Sequence, residues 1–378
     1  MRIEQSQWFE REGWRGAPPG GLGGRAQLAL LFGDTSLIKR RACFEEIRGA
    51  YPKALLFGCS TAGEIHGSTV SDGSLSVTAA AFEHTGIEAA HVLSDGEQLG
   101  YEAGYKLVKS FDPEDLAHVF LLSAGLGCNA GELVAGVADA LPAGVAASGG
   151  LAGDGDRFRE TYVLCGGRPE GSAVAALGFY GSRIRVGYGF GSGWDPFGPD
   201  RLITRSKSNV LYEFDGCSAL GLYKRYLGEY ARGLPATALL FPITVALDNG
   251  ERVVRTILSV SEADQSMTFA GDIPEGRVAR FMKANVDHLV DGATAAAGTA
   301  AGMAGGGPPQ LAILVSCVGR KLVMKQRIEE EIEAAREAFG DGPAQTGFYS
   351  YGEIAPFALA GPPALHNESM TVTAFRED

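Results

Sequence analysis

Three stretches of the chain share one residue pattern, in which small residues and a glycine accompany a carboxylate. These stretches are residues 58–65, 148–155 and 349–354. Small side chains let a ligand reach backbone amides, and ligands of open α/β sheets bind beyond the carboxyl ends of the strands. The stretches therefore predict a small-molecule cleft, which Glu64, Asp154 and Glu353 face from separate parts of the chain. A tight turn that binds nothing is the alternative.

The candidate ligand-binding residues combine backbone amides at small residues with hydrogen-bonding and aromatic side chains. They are Cys59, Ser60, Thr61, Gly63, Glu64, Gly150, Gly153, Asp154, Trp194, Cys317, Arg320, Tyr349, Tyr351, Glu353, His366 and Asn367. Rigid aromatic walls with a few hydrogen-bonding groups suit a small-ligand pocket. Packing in a core is the alternative role for the aromatic residues.

Two cysteines raise the question of catalysis. Cys317 precedes Arg320, and a nearby cation lowers the pKa of a thiol towards the reactive thiolate. Cys59, together with His366 and Asn367, has the residue types of a thiol hydrolase. The chain has no nucleophile elbow, phosphate loop or paired-histidine motif, so binding is favoured over turnover. We therefore predict a protein that is not an enzyme and has no catalytic residues, with a thiol-dependent enzyme as an alternative.

The sequence predicts no metal site. Asp154 and Asp156 have the spacing of a calcium loop, but the loop lacks the terminal glutamate that would bind the ion with both oxygens. Histidine is a common axial ligand of haem iron. If haem binds, His66 and His366 are the residues to test, since they lie beside the stretches described above.

The overall composition restricts the partners. The 378 residues carry a formal net charge of −12, which disfavours binding to nucleic acids and anionic membranes. The longest uncharged stretch, residues 292–319, is interrupted by Pro308 and Pro309, so no insertion into a membrane is predicted. The six cysteines are far apart and resemble reduced cytosolic thiols. The amino terminus does not have the pattern of a secretory signal, so a cytoplasmic location is expected.

The pattern of apolar residues predicts a mixed α/β fold with two lobes, mixed sheets and flanking helices. Short apolar runs that end in glycine, such as residues 26–33, are typical of buried parallel strands. The strands between residues 160 and 190 are expected to be antiparallel. Later in the chain, an Asp-Asn-Gly turn at 248–250 indicates a hairpin, and Asp272 with Glu275 predicts the start of a helix over residues 278–289. The ligand cleft is expected at the carboxyl ends of the strands.

The chain divides into three segments. Residues 1–24 mix charges with prolines and glycines, and they are expected to form a leader before the first core element. A polar helix and a Gly-Leu-Pro turn within residues 223–235 indicate a boundary. We therefore predict one region over residues 25–222 and a second over residues 223–378.

The ordered set of motifs resembles the FIST family, whose members have an amino-terminal and a carboxyl-terminal FIST region. The resemblance covers nearly the whole chain, and it rests on residues 58–65, 149–155 with Phe158 and Thr161, 189–194 with Pro196, 209–213 with 215–216, 271–274, 316–320, 347–354, and 365–367 with Met370 and Thr371. Leu151 departs from the smaller polar residue expected there, which affects the polarity of the pocket.

The resemblance implies an intracellular sensory protein that binds a small molecule between its lobes, with amino acids or their derivatives proposed for the family. Because the two regions account for the chain, the signal is expected to pass to a partner protein in trans. Some FIST proteins are similar in layout and are haem-bound nitric oxide sensors that regulate histidine kinases or cyclic-di-GMP enzymes. That role is the alternative, although no family haem ligand maps onto a residue of this sequence.

Overall fold

The computed structural model describes residues 1–247, 250–340, 342–358 and 361–378. In chain order the strands are β1 (Arg2–Phe9), β2 (Gly13–Arg15), β3 (Leu28–Gly33), β4 (Leu55–Ser60), β5 (Glu64–His66), β6 (Thr69–Ser71), β7 (Ser74–Ala81), β8 (Gly86–Leu93), β9 (Leu116–Ser123), β10 (Ala146–Leu151), β11 (Val163–Cys165), β12 (Arg168–Glu170), β13 (Ala173–Tyr180), β14 (Ile184–Gly191), β15 (Trp194–Lys207), β16 (Val210–Phe214), β17 (Cys217–Ser218), β18 (Ile243–Ala246), β19 (Arg252–Arg255), β20 (Ile257–Ser261), β21 (Ser266–Phe269), β22 (Val278–Ala284), β23 (Leu311–Cys317), β24 (Ala344–Ser350), β25 (Glu353–Pro356), β26 (Pro363–His366) and β27 (Met370–Glu377).

The α-helices lie between these strands. They are α1 (Thr35–Ile38), α2 (Arg41–Ala50), α3 (Tyr101–Lys109), α4 (Ala130–Ala140), α5 (Ala219–Leu227), α6 (Val286–Ala304), α7 (Val318–Met324) and α8 (Glu329–Phe339). Short 3₁₀ helices occur at Gly23–Arg25, Gly228–Gly233, Ala236–Leu240 and Lys325–Arg327.

Within the described residues the strands form four sheets. The first has the order β12-β11-β4-β3-β7-β1-β2, and the second β26-β25-β10-β9-β13-β8. The third has the order β14-β27-β23-β24-β5-β6. Each of these three contains one parallel pair, β3 with β4, β9 with β10, or β23 with β24, among antiparallel ones. These mixed sheets with flanking helices confirm the predicted mixed α/β class.

The first three sheets enclose a common core. Aromatic pairs join them two at a time, and these pairs are Phe32 with Phe348, Phe57 with Phe120, and Phe179 with Phe375. All six rings belong to one cluster of buried residues. The fourth sheet, with the order β19-β18-β22-β15-β16-β21-β20 and β17 beside β16, has its own core with α5. We call residues 194–284 the β-rich part.

The amino-terminal segment belongs to the core, which corrects the predicted leader. β1 pairs with β7 over its whole length, from Arg2 opposite Ala81 to Phe9 opposite Ser74. The carboxylate of Glu4 then accepts hydrogen bonds from the backbone N–H groups of residues 20–22. Arg2 and Glu4 lie on this strand, which is only partly buried and therefore lacks the continuous apolar run of a core strand.

The predicted helix over residues 278–289 is also wrong. Residues 278–284 form β22, which pairs with β15 and β18, and the helix α6 begins only at Val286. Pairing within the sheet overrides the local helical spacing. β18 and β19 pair antiparallel, as the hairpin prediction requires, but residues 248 and 249 of its turn lie outside the described residues.

Alternate glycines of β14 serve packing. An added Cβ at Gly187 would lie 1.9 Å from the carbonyl oxygen of Ala300, and one at Gly189 would lie 2.3 Å from that of Ala296. The glycines therefore let the alanine-rich face of α6 rest directly on the strand.

A buried ion pair fixes the short helix α7. The guanidinium of Arg320 lies 2.6 Å from Oε2 of Glu331 on α8, and it also donates to the carbonyl oxygens of Ser192 and Leu289. Both charged side chains have no exposed area. Tyr349 donates a further hydrogen bond of 2.7 Å to Glu331. Because its N–H groups donate to Glu331 and to backbone oxygens, Arg320 has a structural role in this structure.

We predict that Arg320→Ala lowers the free energy of unfolding by about 3–5 kcal/mol, since it leaves the Glu331 carboxylate buried without its cation. The matched control is Arg327→Ala, which removes an exposed arginine paired with Glu330 and should change stability little. Urea unfolding of both variants measures the difference. Equal effects of the two substitutions would contradict the structural role of Arg320.

Candidate functional site

A cavity of about 1090 Å³ lies between strand ends of the second and third sheets and the β-rich part. Leu151 and Cys317, the last residues of β10 and β23, line one side. Thr256, Ile257 and Phe269 line the opposite side. The cavity is therefore located at carboxyl ends of strands, and residues of both predicted regions contribute to its wall.

The wall is mainly apolar with a few polar groups. Leucines from several elements line it, among them Leu240 and Leu322. Asp156 and Asp272 add carboxylates, and Lys325 adds one cation. An apolar enclosure with a small number of polar groups is typical of small-ligand sites.

Two stacked rings form part of the mouth. The ring centroids of Phe158 and Tyr351 are 4.5 Å apart with planes 14° from parallel, and both residues line the cavity. Phe158 is 42% exposed, so one face of this pair is open to incoming molecules. Sequence reasoning selected Tyr351 but missed Phe158 as a site residue, although Phe158 belongs to the matched motifs.

The three acidic stretches do meet in space, as predicted. The backbone N–H of Ala62 donates to Tyr349 O, and that of Gly153 donates to Ser60 O. The N–H of Leu151 donates to Gly352 O. Each stretch is therefore hydrogen-bonded to the other two.

Their carboxylates, however, do not face the cavity, which corrects the prediction. Glu64 accepts hydrogen bonds from Thr61 Oγ1 at 2.5 Å and from the N–H and hydroxyl of Ser74. Glu353 repeats this arrangement with the hydroxyl of Ser350 and with the N–H and hydroxyl of Ser369. Both acids are almost completely buried, and neither is among the described residues that line the cavity.

Asp154 completes a similar local network. Its carboxylate accepts from the backbone N–H groups of Phe158, Arg159 and Glu160 and from the hydroxyl of Tyr351. Asp154 is fully buried, so it holds the loop that carries Phe158 against Tyr351. Asp154 therefore stabilises the positions of Phe158 and Tyr351, which line the cavity.

We predict that Asp154→Ala loosens this loop and lowers the free energy of unfolding by about 2 kcal/mol, because three backbone donors lose their acceptor. Asp156→Ala is the control, since Asp156 is an exposed carboxylate two residues away. Urea unfolding gives the stabilities, and hydrogen exchange at residues 158–160 reports the loop. Unchanged exchange in Asp154→Ala would argue against this role.

Burial raises the pKa of two of these acids, to about 7 for Glu64 and to about 8 for Glu353. The folded protein therefore keeps protons that the unfolded chain releases above about pH 4.5. The contribution of these two groups to the free energy of unfolding is fully present below about pH 4.5. It is lost as the pH rises to 7–8.

We expect Glu64→Gln to remove part of the decrease in the free energy of unfolding at higher pH. Between pH 5 and pH 8, the native protein should lose about 2 kcal/mol more of its free energy of unfolding than the variant loses. Urea unfolding at both pH values tests this, with the exposed Glu337→Gln as the control. Parallel pH dependences of native protein and Glu64→Gln would show that Glu64 is not protonated in the folded state.

The other predicted residues have separate positions. Within the described residues, Cys317 and Tyr351 are the ones on the wall of the cavity. Eight others are buried and are not among the described lining residues: Cys59, Ser60, Thr61, Gly150, Gly153, Tyr349, His366 and Asn367. An added Cβ at Gly63 would lie 2.6 Å from Lys321 Nζ. Trp194 donates its indole N–H to the carbonyl oxygen of Glu368 at 2.8 Å.

The thiols lack the environment of a nucleophile. Burial raises the pKa of Cys59 well above its usual value. For Cys317, burial and the carboxylates of Glu353 and Glu368 have the same effect, which corrects the prediction that Arg320 lowers its pKa. Arg320 donates to Glu331 instead.

The two histidines do not fit a haem ligand at this cavity. His366 is buried, its Nε2 is 2.9 Å from the carbonyl oxygen of Ala355, and its ring stacks on Phe190. His66 has its Nδ1 3.0 Å from the hydroxyl of Ser76. Among the described lining residues, no histidine occurs. Neither predicted histidine is therefore a described lining residue of this cavity, and haem binding stays a prediction.

Comparison with known families agrees with the motifs. The FIST N domain matches residues 27–217, and the FIST C domain matches residues 219–356. The chain belongs to the FIST family. FIST domains are associated with sensory signal transduction and the binding of small ligands. The division at residues 222 and 223 stays a prediction.

One relative comes from an archaeon. The uncharacterized protein MJ1623 of Methanocaldococcus jannaschii is 24% identical over 293 residues, which cover 71% of this chain. The match spans 56% of that relative's length. In this FIST protein, the described helices include none that is both long and apolar enough to span a bilayer.

Proposed function

We propose that this FIST protein is an intracellular sensor that binds a small molecule in the cavity and signals to a partner protein in trans. The observation that carries the proposal is the cavity of about 1090 Å³, which strand ends of two sheets and the β-rich part enclose together. Family membership supports a sensory role.

The residues of the cavity wall support one class of ligand. Apolar side chains would contact the body of the ligand, while Asp272 and Lys325 offer charges of opposite sign. This combination supports amino acids or their derivatives as ligands. The buried and protonated thiols support a binding role without turnover.

Helix α7 is placed to transmit the binding of a ligand to the partner protein. Val318, Gly319 and Leu322 of this helix line the cavity, whereas Arg320 on its other side holds Glu331 of α8. A ligand that binds one arrangement of these walls more tightly shifts the population towards it. The partner protein would recognise that arrangement, and a histidine kinase or a cyclic-di-GMP enzyme fits such a role in the cytoplasm.

A screen by thermal unfolding tests the proposal. We expect one class of amino acids or derivatives to stabilise the protein by about 2.7 kcal/mol at a concentration of 100 times its Kd. Ala270→Trp should abolish the effect, because the larger side chain would fill space at the wall. Ala295→Trp, on an exposed position of α6, is the matched control.

Stabilisation that persists in Ala270→Trp would place the ligand elsewhere. The absence of stabilisation by every amino acid and derivative would overturn the proposed ligand class.

A further inference from the structure

Glu368 is a buried carboxyl group with an incomplete set of partners. It lies in the connection between β26 and β27, and its side chain is fully buried. Oε1 accepts a hydrogen bond of 2.9 Å from Thr256 Oγ1. Oε2 has no hydrogen-bond partner among the described residues. A buried acceptor that lacks a partner is costly, so such an atom points to a missing donor.

The group lies directly behind the cavity wall. Thr256 and Gly319 both line the cavity, and both contact this carboxyl group. A Cβ added at Gly319 would lie 2.3 Å from Oε2 and 2.4 Å from Oε1. Any side chain at residue 319 would therefore collide with Glu368, and glycine leaves the carboxyl group separated from the cavity by backbone alone.

The surrounding charges do not neutralise Glu368. The charged or titratable groups that face it are Arg320 of α7, Cys317 of β23, Glu353 of β25 and Tyr223 of α5. Arg320 is the one cation of this set, and its hydrogen bonds go to Glu331 and to backbone oxygens. Burial raises the pKa of Glu368 to about 7, so an arriving cation would favour its ionised form.

The cavity wall itself favours positive charge. Its described lining residues include the two carboxylates Asp156 and Asp272 against the single cation Lys325. A ligand that brings a cationic group into this enclosure would balance that excess.

We propose that Glu368 recognises the ligand, accepting hydrogen bonds from the amino group of a molecule whose remaining part is apolar. The inference rests on the proposed function, since it names the chemistry of the same cavity. Thr256 orients the carboxyl group, and the absence of a side chain at Gly319 leaves only backbone between that group and the cavity. Because Glu368 is not among the described lining residues, the contact requires a displacement of α7 that opens Oε2 to the cavity.

The test compares three probes of similar size that differ in one group: 2-phenylethylamine, 2-phenylethanol and 3-phenylpropionate. Isothermal titration calorimetry measures their binding to the full chain, to Glu368→Gln and to the exposed control Glu337→Gln. We expect the amine to bind the native protein about tenfold more tightly than the alcohol. Glu368→Gln should remove this preference and leave the binding of the alcohol unchanged.

A second measurement does not depend on any variant. The affinity of the native protein for the amine should rise about tenfold from pH 6 to pH 8, as Glu368 ionises, while that for the alcohol stays constant. If Glu368→Gln binds the amine as well as the native protein does, the inference is overturned. Equal affinities for amine and alcohol would also overturn it, as would binding of none of the probes. The proposed function would survive each result if the amino-acid screen still showed stabilisation that Ala270→Trp abolishes.

Discussion

The structure depends on three of the places where the chain leaves one sheet and enters another. After β4 the chain passes from the first sheet to the third, and after β24 it passes from the third to the second. After β10 it returns from the second sheet to the first through β11. These crossings link the three sheets in a cycle around one core, so the amino-terminal and carboxyl-terminal regions cannot pack as independent bodies.

Each crossing carries one of the three acids. Glu64 is the first residue of β5 and Glu353 is the first residue of β25, while Asp154 follows β10. A sharp turn between sheets leaves backbone N–H groups and hydroxyls without strand partners, and a buried carboxylate satisfies several of them at once. The small residues and glycines allow the three crossings to approach closely enough to exchange backbone hydrogen bonds.

This explains which parts of the site could be predicted from the sequence. The apolar run over residues 26–33 correctly indicated the buried strand β3, and the pattern shared by the three stretches correctly indicated that they meet. The direction of their carboxylates depends on donors such as Ser74 and Ser369, which are supplied by other parts of the fold. No local pattern encodes those contacts.

The same limit applies to the β-rich part. Thr256 and Asp272 reach the cavity only because the fourth sheet folds against α7 and the strand ends, and their neighbours in the sequence give no signal of it. Glu368 came closest to being found, since it follows His366 and Asn367, which the motifs did select. Its significance lies in an unpaired atom, which only the folded structure reveals.

The buried acids also show how a structural carboxyl group differs from one that is free for recognition. Burial raises the pKa of Glu64, Glu353 and Glu368 alike, so the shift alone does not separate them. Their hydrogen bonds do separate them, because Glu64 and Glu353 each accept hydrogen bonds on both oxygens. Glu368 has a donor on one oxygen, supplied by a residue of the cavity wall. Where folding has left a buried acceptor unsatisfied beside an apolar enclosure, the missing donor is most simply supplied by what that enclosure binds.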